Sequence, residues 1–247
     1  MVTFSKLGQL GRIGNQLWQI AATIGYSRKW NMDYVLPDWE YAKHFKYGFN
    51  QSSILKPFAP FHENGFHFSQ IPKYKNVDLY GYFQSIRYWE HCQREIRELF
   101  SPNEKIQAIL DKTPMSPNTC AIHVRRTDYL QLNDYHPSLP MEYYTKAIEL
   151  MKSDRYIVFS DDIEWAKNNF KGDNIEFINS GNDLLDFFMA TRCEHFIIAN
   201  SSFSWWFSFL GKKNETKIIA PKKESWFGIR YNTNNVDDLY LSNWILI

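Results

Sequence analysis

The stretch YIVFSDDIEWAKNNF, residues 156–170, contains the structural unit that predicts the fold. Its first part, Tyr156–Phe159, is apolar and rich in residues that favour strands, which indicates a buried strand. Ser160-Asp161-Asp162 is a typical helix start signal. The following segment, Ile163–Phe170, is predicted to be a helix that ends before Gly172. One strand followed directly by one helix is typical of α/β proteins.

Segments on both sides of this stretch repeat the pattern. Short apolar runs predict further strands at Cys120–Val124, Ile175–Ile178, His195–Ala199 and Lys217–Ala220. Helices are predicted between them at Met141–Lys152, Asp183–Cys193 and Ser204–Leu210. Gly211 is expected to end the last helix as its C′ residue. Short strands that alternate with helices indicate βαβ units and a parallel sheet, in which ligands bind beyond the carboxyl ends of the strands.

The N-terminal half contains the same kinds of element at less regular intervals. Strands are predicted at Val2–Lys6, Tyr34–Leu36 and Val77–Phe83, and helices at about Asn15–Trp30 and Ile86–Phe100. Residues 38–76 are rich in aromatic residues, Pro and Gly, and are expected to form irregular loops. A break in the pattern at residues 112–118 divides the chain into residues 1–116 and 117–247. We therefore predict an α/β fold with two Rossmann-like domains that face a cleft.

Composition limits the classes of function. The chain has 247 residues, of which 44% are hydrophobic and 22% are charged, so it can form an ordinary globular core. The formal net charge of +1 predicts neither a nucleic-acid footprint nor a polybasic membrane patch. The three cysteines form no CxxC pair, which argues against a disulfide framework or a zinc site. Without a recognisable signal peptide or an 18-residue apolar window, we expect a cytoplasmic protein.

The segment His123-Val124-Arg125-Arg126-Thr127-Asp128 follows a predicted strand, so its polar residues emerge at the ligand edge of the sheet. Side chains alternate in direction along an extended chain, and one arginine can therefore face a ligand while the other anchors the loop. A guanidinium fork matches two phosphate oxygens and stays charged at any working pH. Asp128 is a candidate to orient one arginine. The alternative interpretation is a surface ion-pair cluster.

A second segment, Asn200-Ser201-Ser202-Phe203-Ser204-Trp205-Trp206, lies between a predicted strand and a predicted helix. A helix N-terminus presents free backbone N–H groups and a partial positive charge, which favour a phosphate. The alternative is simple N-capping by serine. Both interpretations hold together if one serine caps the helix and another contacts the ligand.

The aspartates of Ser160-Asp161-Asp162 allow three interpretations. One carboxylate can accept hydrogen bonds from the ring N–H and the amino group of guanine. Alternatively, one aspartate caps the helix that follows. Paired carboxylates also bind Mg²⁺, but two nearby arginines already supply the positive charge that a metal would bring.

The segment Gly11-Arg12-Ile13-Gly14-Asn15-Gln16 has the form of a loop that leads from a strand into a helix. Glycines in such a loop let the backbone approach a ligand closely. The segment lacks the GxGxxG spacing, and an ordinary tight connection explains it equally well.

Together the four segments resemble the α-1,2-fucosyltransferase family. The matching strings are GRIGNQLWQIA at 11–21, HVRRTDY at 123–129, VFSDDIEWAKNNF at 158–170, FIIANSSFSWWFSFLG at 196–211 and the closing DLYLSNWILI at 238–247. The arginine segment is shared in looser form with α-1,6-fucosyltransferases and protein O-fucosyltransferases. Leu17-Trp18 stands where family members often carry Met-Phe. Residues 38–76 match no part of the family's pattern.

The resemblance implies a GT-B type fold, a GDP-β-L-fucose donor, a glycan acceptor, inversion at the fucose C1 and no metal or other cofactor. By position, Arg125 would contact the β-phosphate with support from Arg126. His123 and one of Asp161 or Asp162 would hold the guanosine. The remaining donor-site residues implied by the resemblance are Ser201, Ser202, Ser204, Gly14 and Asn15.

The expected reaction is transfer of L-fucose to a galactoside hydroxyl with formation of an α-1,2 linkage. A carboxylate base would take the proton of that hydroxyl, and Asp134 and Asp128 are the candidates. Two alternatives stay open: a fucosyltransferase with another linkage or acceptor, and a nucleotide-sugar or glycan-binding module without turnover. A P-loop kinase is excluded because no GxxxxGK[ST] string occurs.

Overall fold

The computed structural model describes residues 1–247, which form two compact units. The first unit comprises residues 1–105 and 234–240, and the second comprises residues 106–233 and 241–247. Each unit is built on a parallel sheet, which agrees with the predicted α/β class. The predicted division into residues 1–116 and 117–247 stays a prediction.

The first unit contains a four-stranded parallel sheet with the order β2-β1-β4-β3. Its strands are β1 (Val2–Thr3), β2 (Tyr34–Val35), β3 (Pro60–His62) and β4 (Val77–Tyr80). Helix α1 (Ile13–Trp30) is buried along most of its length, and α2 spans Gln93–Leu99. A further helix, α3 (Glu104–Asp111), begins at the end of this unit and lies mostly in the second.

Two predictions for this half were wrong in detail. The region of residues 38–76 contains the strand β3 as well as irregular loops. The predicted helix Ile86–Phe100 is divided into two 3₁₀ turns and α2. The division occurs at Trp89, whose backbone has φ −143° and ψ 8°. Its fully buried ring packs against Trp18 at 5.7 Å, so packing on α1 replaces helical continuity here.

The second unit contains a six-stranded parallel sheet with the order β10-β9-β8-β5-β6-β7. Its strands are β5 (Thr119–Val124), β6 (Arg155–Ser160), β7 (Ile175–Ile178), β8 (His195–Ile197), β9 (Ile218–Ala220) and β10 (Ile245–Leu246). Its helices are α4 (Met141–Met151), α5 (Ile163–Asn169), α6 (Asp183–Ala190) and α7 (Ser202–Gly211). Every strand and helix predicted for this half is present, with ends that shift by a few residues, and β10 is additional.

Strand order determines where a ligand can enter this sheet. From β5 the chain proceeds to β6 and β7 on one side, and it then returns to place β8 on the other side of β5. The order therefore reverses between β5 and β8. In open α/β sheets such a switch point leaves a crevice at the carboxyl ends of the two strands, because the helices that follow them diverge.

Gly211 does not end α7 in the way that the sequence predicts. It is the last residue of the helix, and the residue after it, Lys212, has φ −60° rather than a left-handed conformation. A Cβ atom at Gly211 would overlap the carbonyl oxygen of Thr191 and the ring of Phe196. Glycine is required here because other parts of the unit approach the helix closely. None of the helices combines the length and apolar character that a membrane span requires.

Gly211→Ala is expected to lower the free energy of unfolding by about 1–3 kcal/mol, the usual cost of adding a methyl group to a packed site. Urea unfolding curves of the variant and the parent protein measure this difference. Gly48→Ala is the matched control, because a Cβ at Gly48 would meet open space. Equal stability of the Gly211 variant and the parent would contradict the close-packing explanation.

Candidate functional site

Arg125 lies directly after β5, at the switch point of the second unit. Its Nη1 is 2.9 Å from Oδ2 of Asp161, and its Nη2 is 2.6 Å from Oδ1 of Asp128. The guanidinium carbon also lies 5.4 Å from the ring centre of Tyr129. Only 14% of the Arg125 side chain is exposed. An ion-pair cluster is therefore present, but it is largely buried at the ligand edge of the sheet rather than spread over the surface.

Arg126 makes a different set of contacts, as the alternation of side chains predicts. Its Nε lies 3.4 Å from Oδ2 of Asp162, and its guanidinium carbon lies 3.9 Å from the ring centre of Trp165 on α5. A cation above the face of an indole ring is attracted by the ring electrons. Arg126 is thus anchored on α5, whereas Arg125 lies among the loop carboxylates.

Asp161 joins the end of β6 to the loop after β5. In addition to the ion pair with Arg125, its oxygens accept hydrogen bonds from the backbone N–H of Arg126 at 2.9 Å and of Thr127 at 3.3 Å. The Thr127 hydroxyl donates a further bond at 2.6 Å. Parallel pairing of Val124 with Ser160 brings the two strand ends together and makes this bridge possible. Asp161 is therefore fully engaged in holding the arginine loop.

Asp162 has the capping role that the sequence offered as one alternative. Its side chain is the N-cap of α5 and accepts a hydrogen bond from the Trp165 N–H at 3.2 Å. Its other oxygen faces Arg126. Neither aspartate has both oxygens available, so the predicted contact of Asp161 or Asp162 with guanosine stays a prediction.

His123 is buried inside the second unit, with 5% of its surface exposed. Its ring lies 5.4 Å from that of Phe203 and 5.8 Å from that of Phe207. Burial lowers the pKa of His123 to about 3, so the imidazole is neutral at physiological pH. Its Nδ1 has no hydrogen-bond partner in the protein. The predicted contact of His123 with the nucleoside stays a prediction.

Helix α7 follows β8, the strand that pairs with β5, so its N-terminus and Arg125 lie at the same edge of the sheet. Ser201 occupies the N-cap position, but its side chain makes no capping hydrogen bond and the first turn contains no acidic residue. The N–H groups of this turn therefore form a candidate anion site. Ser204 is fully buried, and its hydroxyl donates to the carbonyl oxygens of Ala199 and Ser201. Of the three predicted serines, Ser201 and Ser202 lie nearest to solvent at this helix start.

Asn200 organises this edge, a role that its place in the serine-rich segment did not suggest. It is 2% exposed, and its Nδ2 donates to the carbonyl oxygens of Pro137 at 2.9 Å and Trp226 at 3.1 Å. The backbone carbonyl oxygen of Asn200 accepts a hydrogen bond of 3.1 Å from the Tyr129 hydroxyl. Asn200 thus ties the loop after β5 and the loop after β9 to the start of α7. The one sequence signal for this linking role was an asparagine directly after a predicted buried strand.

The two candidate bases differ in availability. Asp128 is committed to the ion pair with Arg125. Asp134 is exposed, and it lines a pocket of about 420 Å³ within the second unit together with Pro137, Glu224 and Phe227. The volume lies in the range of small-molecule sites.

Gly14 and Asn15 belong to the first unit. Gly14 is buried in the first turn of α1, and Asn15 Oδ1 accepts a hydrogen bond of 2.7 Å from Gln84 Nε2. Their predicted contribution to a donor site stays a prediction. No group of three or more His, Cys, Asp or Glu side chains is arranged to hold a metal ion.

Comparison with known sequences gives the family. Residues 19–247 match the profile described as glycosyl transferase family 11. The O-antigen biosynthesis glycosyltransferase WbnK of Escherichia coli is 31% identical over 185 residues, which cover 68% of this chain and 59% of WbnK. An α-1,2-colitosyltransferase of Escherichia coli is 31% identical over 169 residues, covering 62% and 57%. The human galactoside α-(1,2)-fucosyltransferase 1 is 24% identical over 239 residues, covering 81% and 63%.

The matched part thus spans less than two thirds of the length of each of these relatives. Among solved structures, fucosyltransferase NodZ from Bradyrhizobium has a TM-score of 0.57 at 15% identity, covering 85% of this chain and 92% of NodZ. The NodZ α-1,6-fucosyltransferase soaked with GDP-fucose has a TM-score of 0.58 at 15% identity, covering 91% and 95%. This likeness confirms the predicted fold class, α/β with parallel sheets and of GT-B type.

Proposed function

The chain belongs to glycosyl transferase family 11, and we propose that it transfers L-fucose from GDP-β-L-fucose to a galactoside hydroxyl, with inversion and formation of an α-1,2 linkage. The observation that carries this proposal is the position of Arg125 at the switch point of the second sheet, at the same edge as the N-terminus of α7, where the Ser201 side chain makes no capping bond. A diphosphate is the ligand that this pair of features favours.

The sequence relatives support the linkage. Two of them are named for the transfer of different sugars but for the same α-1,2 linkage. They are the α-1,2-colitosyltransferase and the galactoside α-(1,2)-fucosyltransferase. The colitosyltransferase is the more similar of the two, at 31% identity. A colitosyl donor is therefore the second candidate for the sugar that is transferred.

The proposed mechanism is a single displacement at the fucose C1. As the bond between C1 and the β-phosphate oxygen breaks, the diphosphate gains negative charge. Arg125 and the N–H groups of the α7 start stabilise that charge where it develops. Arg126 supports them by fixing the loop on Trp165. The acceptor oxygen attacks the opposite face of C1, which inverts the configuration.

The formal charges around the proposed donor site do not by themselves favour the binding of an anion. Two guanidinium groups, of Arg125 and Arg126, meet the three carboxylates of Asp128, Asp161 and Asp162. We propose that the incoming diphosphate replaces Asp128 on Arg125, because Asp161 is held by three further hydrogen bonds and Asp128 lies on the more exposed side. Asp128 is thereby an exchangeable partner of Arg125 rather than a base.

We place acceptor binding in residues 1–116 and GDP-fucose binding in residues 117–247. His123 and the aspartates at 161 and 162 stay assigned to the guanosine side, and Gly14 and Asn15 to the acceptor-side domain. We propose the cytoplasm as the place of action. The support is that Cys92, Cys120 and Cys193 are all free thiols, as expected in a reducing compartment.

Incubation with GDP-fucose and a panel of β-galactosides is expected to give a fucosylated product and stoichiometric GDP. Mass spectrometry detects the product, and NMR determines the linkage. A parallel incubation with a GDP-colitose donor decides between the two sugars. Binding of GDP-fucose without any release of GDP in the presence of acceptors would instead support a binding module.

Arg125→Ala is expected to lower the rate of transfer by about 10²–10³-fold, the usual cost of removing one donor that stabilises developing charge. The melting temperature is measured in parallel, because the substitution also leaves Asp128 and Asp161 without their cation. Arg155→Ala is the matched control, since it breaks an ion pair with Glu176 at the opposite end of β6. Transfer at the parent rate by a folded Arg125 variant would refute the diphosphate role.

We propose that transfer needs no metal ion, because the arginines and the helix start supply the positive charge at the diphosphate. Activity is expected to persist in excess EDTA and to be unchanged by added Mn²⁺ or Mg²⁺. Complete loss in EDTA that either ion restores would instead assign a metal to the aspartates at the end of β6.

A further inference from the structure

The loop after β5 contains a series of turns between Arg126 and His136. The N–H of His136 bonds to the carbonyl oxygen of Leu132 at 2.8 Å. Two backbone bonds then join this loop to the loop after β9, from Gly228 N–H to Tyr135 O at 2.9 Å and from Arg230 N–H to Asp134 O at 2.8 Å.

The approach of the two loops requires glycine at 228. A Cβ atom at Gly228 would overlap the backbone of Asp134. Asn200 fixes Pro137, the residue after His136, because its Nδ2 donates a hydrogen bond to the Pro137 carbonyl oxygen. The backbone on both sides of His136 is therefore fixed.

The imidazole of His136 lies in an aromatic enclosure. It stacks on Tyr129 with ring centres 5.1 Å apart and planes 20° apart. Phe227 and Tyr231 flank it at 5.7 Å and 5.9 Å. Tyr129 is itself fixed, since its hydroxyl bonds to Asn200 and its ring lies next to the Arg125 guanidinium. The enclosure orients the histidine beside the group that is proposed to hold the leaving diphosphate.

His136 is half-buried within this enclosure. The charged groups that act on the ring are Asp128 and Arg125, and the rings of Tyr129 and Tyr231 face it. Burial lowers the pKa of His136 below its ordinary value, Asp128 raises it and Arg125 lowers it. At neutral pH the ring is therefore uncharged and carries a lone pair that can accept a proton.

We propose that His136 is the catalytic base of the proposed fucosyl transfer and takes the proton of the acceptor galactoside hydroxyl. This inference rests on the proposed function. The pocket lined by Asp134, Pro137 and Phe227 adjoins this loop: Pro137 follows His136 in the chain and the Phe227 ring lies 5.7 Å from the imidazole, whereas His136 itself does not line the pocket.

The step balances within the reactants. The acceptor O–H proton moves to a ring nitrogen of His136 as the oxygen forms its bond to C1 of fucose. The C1–O bond to the β-phosphate breaks, and its electron pair leaves with GDP. The imidazolium then releases its proton to water.

Two variants separate proton transfer from packing. His136→Phe keeps a ring that can stack on Tyr129 but has no proton acceptor, and His136→Asn removes both. We expect both to lower kcat by about 10²–10⁴-fold, the usual contribution of a general base. GDP affinity, measured by calorimetry, is expected to change by less than about threefold, because the diphosphate contacts are intact. The control is His67→Asn, which replaces an exposed histidine of the first unit.

The pH dependence gives a test that needs no variant. A neutral base loses activity as the pH falls through its pKa, so log kcat of the parent enzyme is expected to fall below an inflection under about 6.5. A kcat that does not fall at any pH below about 6.5 at which the enzyme stays folded would overturn the assignment.

The two proposals fail in different ways. An active parent enzyme whose His136→Phe variant keeps kcat within about threefold would overturn the base but not the fucosyl transfer. A folded parent enzyme that transfers neither sugar to any galactoside would overturn the proposed function, and the base with it.

Discussion

The site depends on one carboxylate, that of Asp161. It lies at the end of β6 and accepts hydrogen bonds from two backbone N–H groups and one hydroxyl of the loop after β5, besides its ion pair with Arg125. Breaking a largely buried pair of this kind is costly, since it leaves a charge without a partner in a medium of low polarity. The direction of both arginines follows from this bridge, because Asp161 fixes the backbone from which they project.

The bridge in turn depends on strand register. Val124 pairs with Ser160, so the residues that follow these two strands leave the sheet at the same level. A shift of one residue would turn every side chain of the strand to the opposite face. The buried apolar residues of β5 prevent such a shift, because Cys120, Ile122 and Val124 pack into the same core as Val158 of β6. Packing of the core thus positions a polar site at its edge.

The sequence was informative where periodicity and local chemistry agree. The strand and helix pattern of residues 119–220 could be predicted because each apolar run is bounded by a helix start signal or a turn. The divergence of Arg125 and Arg126 followed from the alternation of side chains, and the capping role of Asp162 was one of the stated alternatives. The three-residue strand β3 was missed, since it begins at Pro60 and has no clear apolar run.

The site features that the sequence did not predict depend on contacts between distant segments of the chain. Asn200 and Gly228 are ordinary loop residues in the sequence, and only the folded chain shows that they join the loops after β5 and β9. His136 lacks a sequence motif, and its enclosure comes from Phe227 and Tyr231, which lie about ninety residues further along. Ser204 belongs to the predicted serine set, but the helix that carries it buries its hydroxyl.

The pair formed by Arg125 and Asp128 has a consequence for turnover. A cation that already holds a carboxylate at 2.6 Å is not an empty receptor, and any incoming anion must compete with this tethered occupant. Inorganic phosphate and other small anions, which would make few other contacts at the site, are expected to compete poorly with it. In the proposed mechanism, a nucleotide diphosphate with contacts elsewhere displaces the carboxylate, and the same carboxylate replaces the departing GDP after transfer. In the proposed mechanism, Asp128 is therefore an exchange ligand of Arg125 that favours selective binding of the donor and limits retention of GDP.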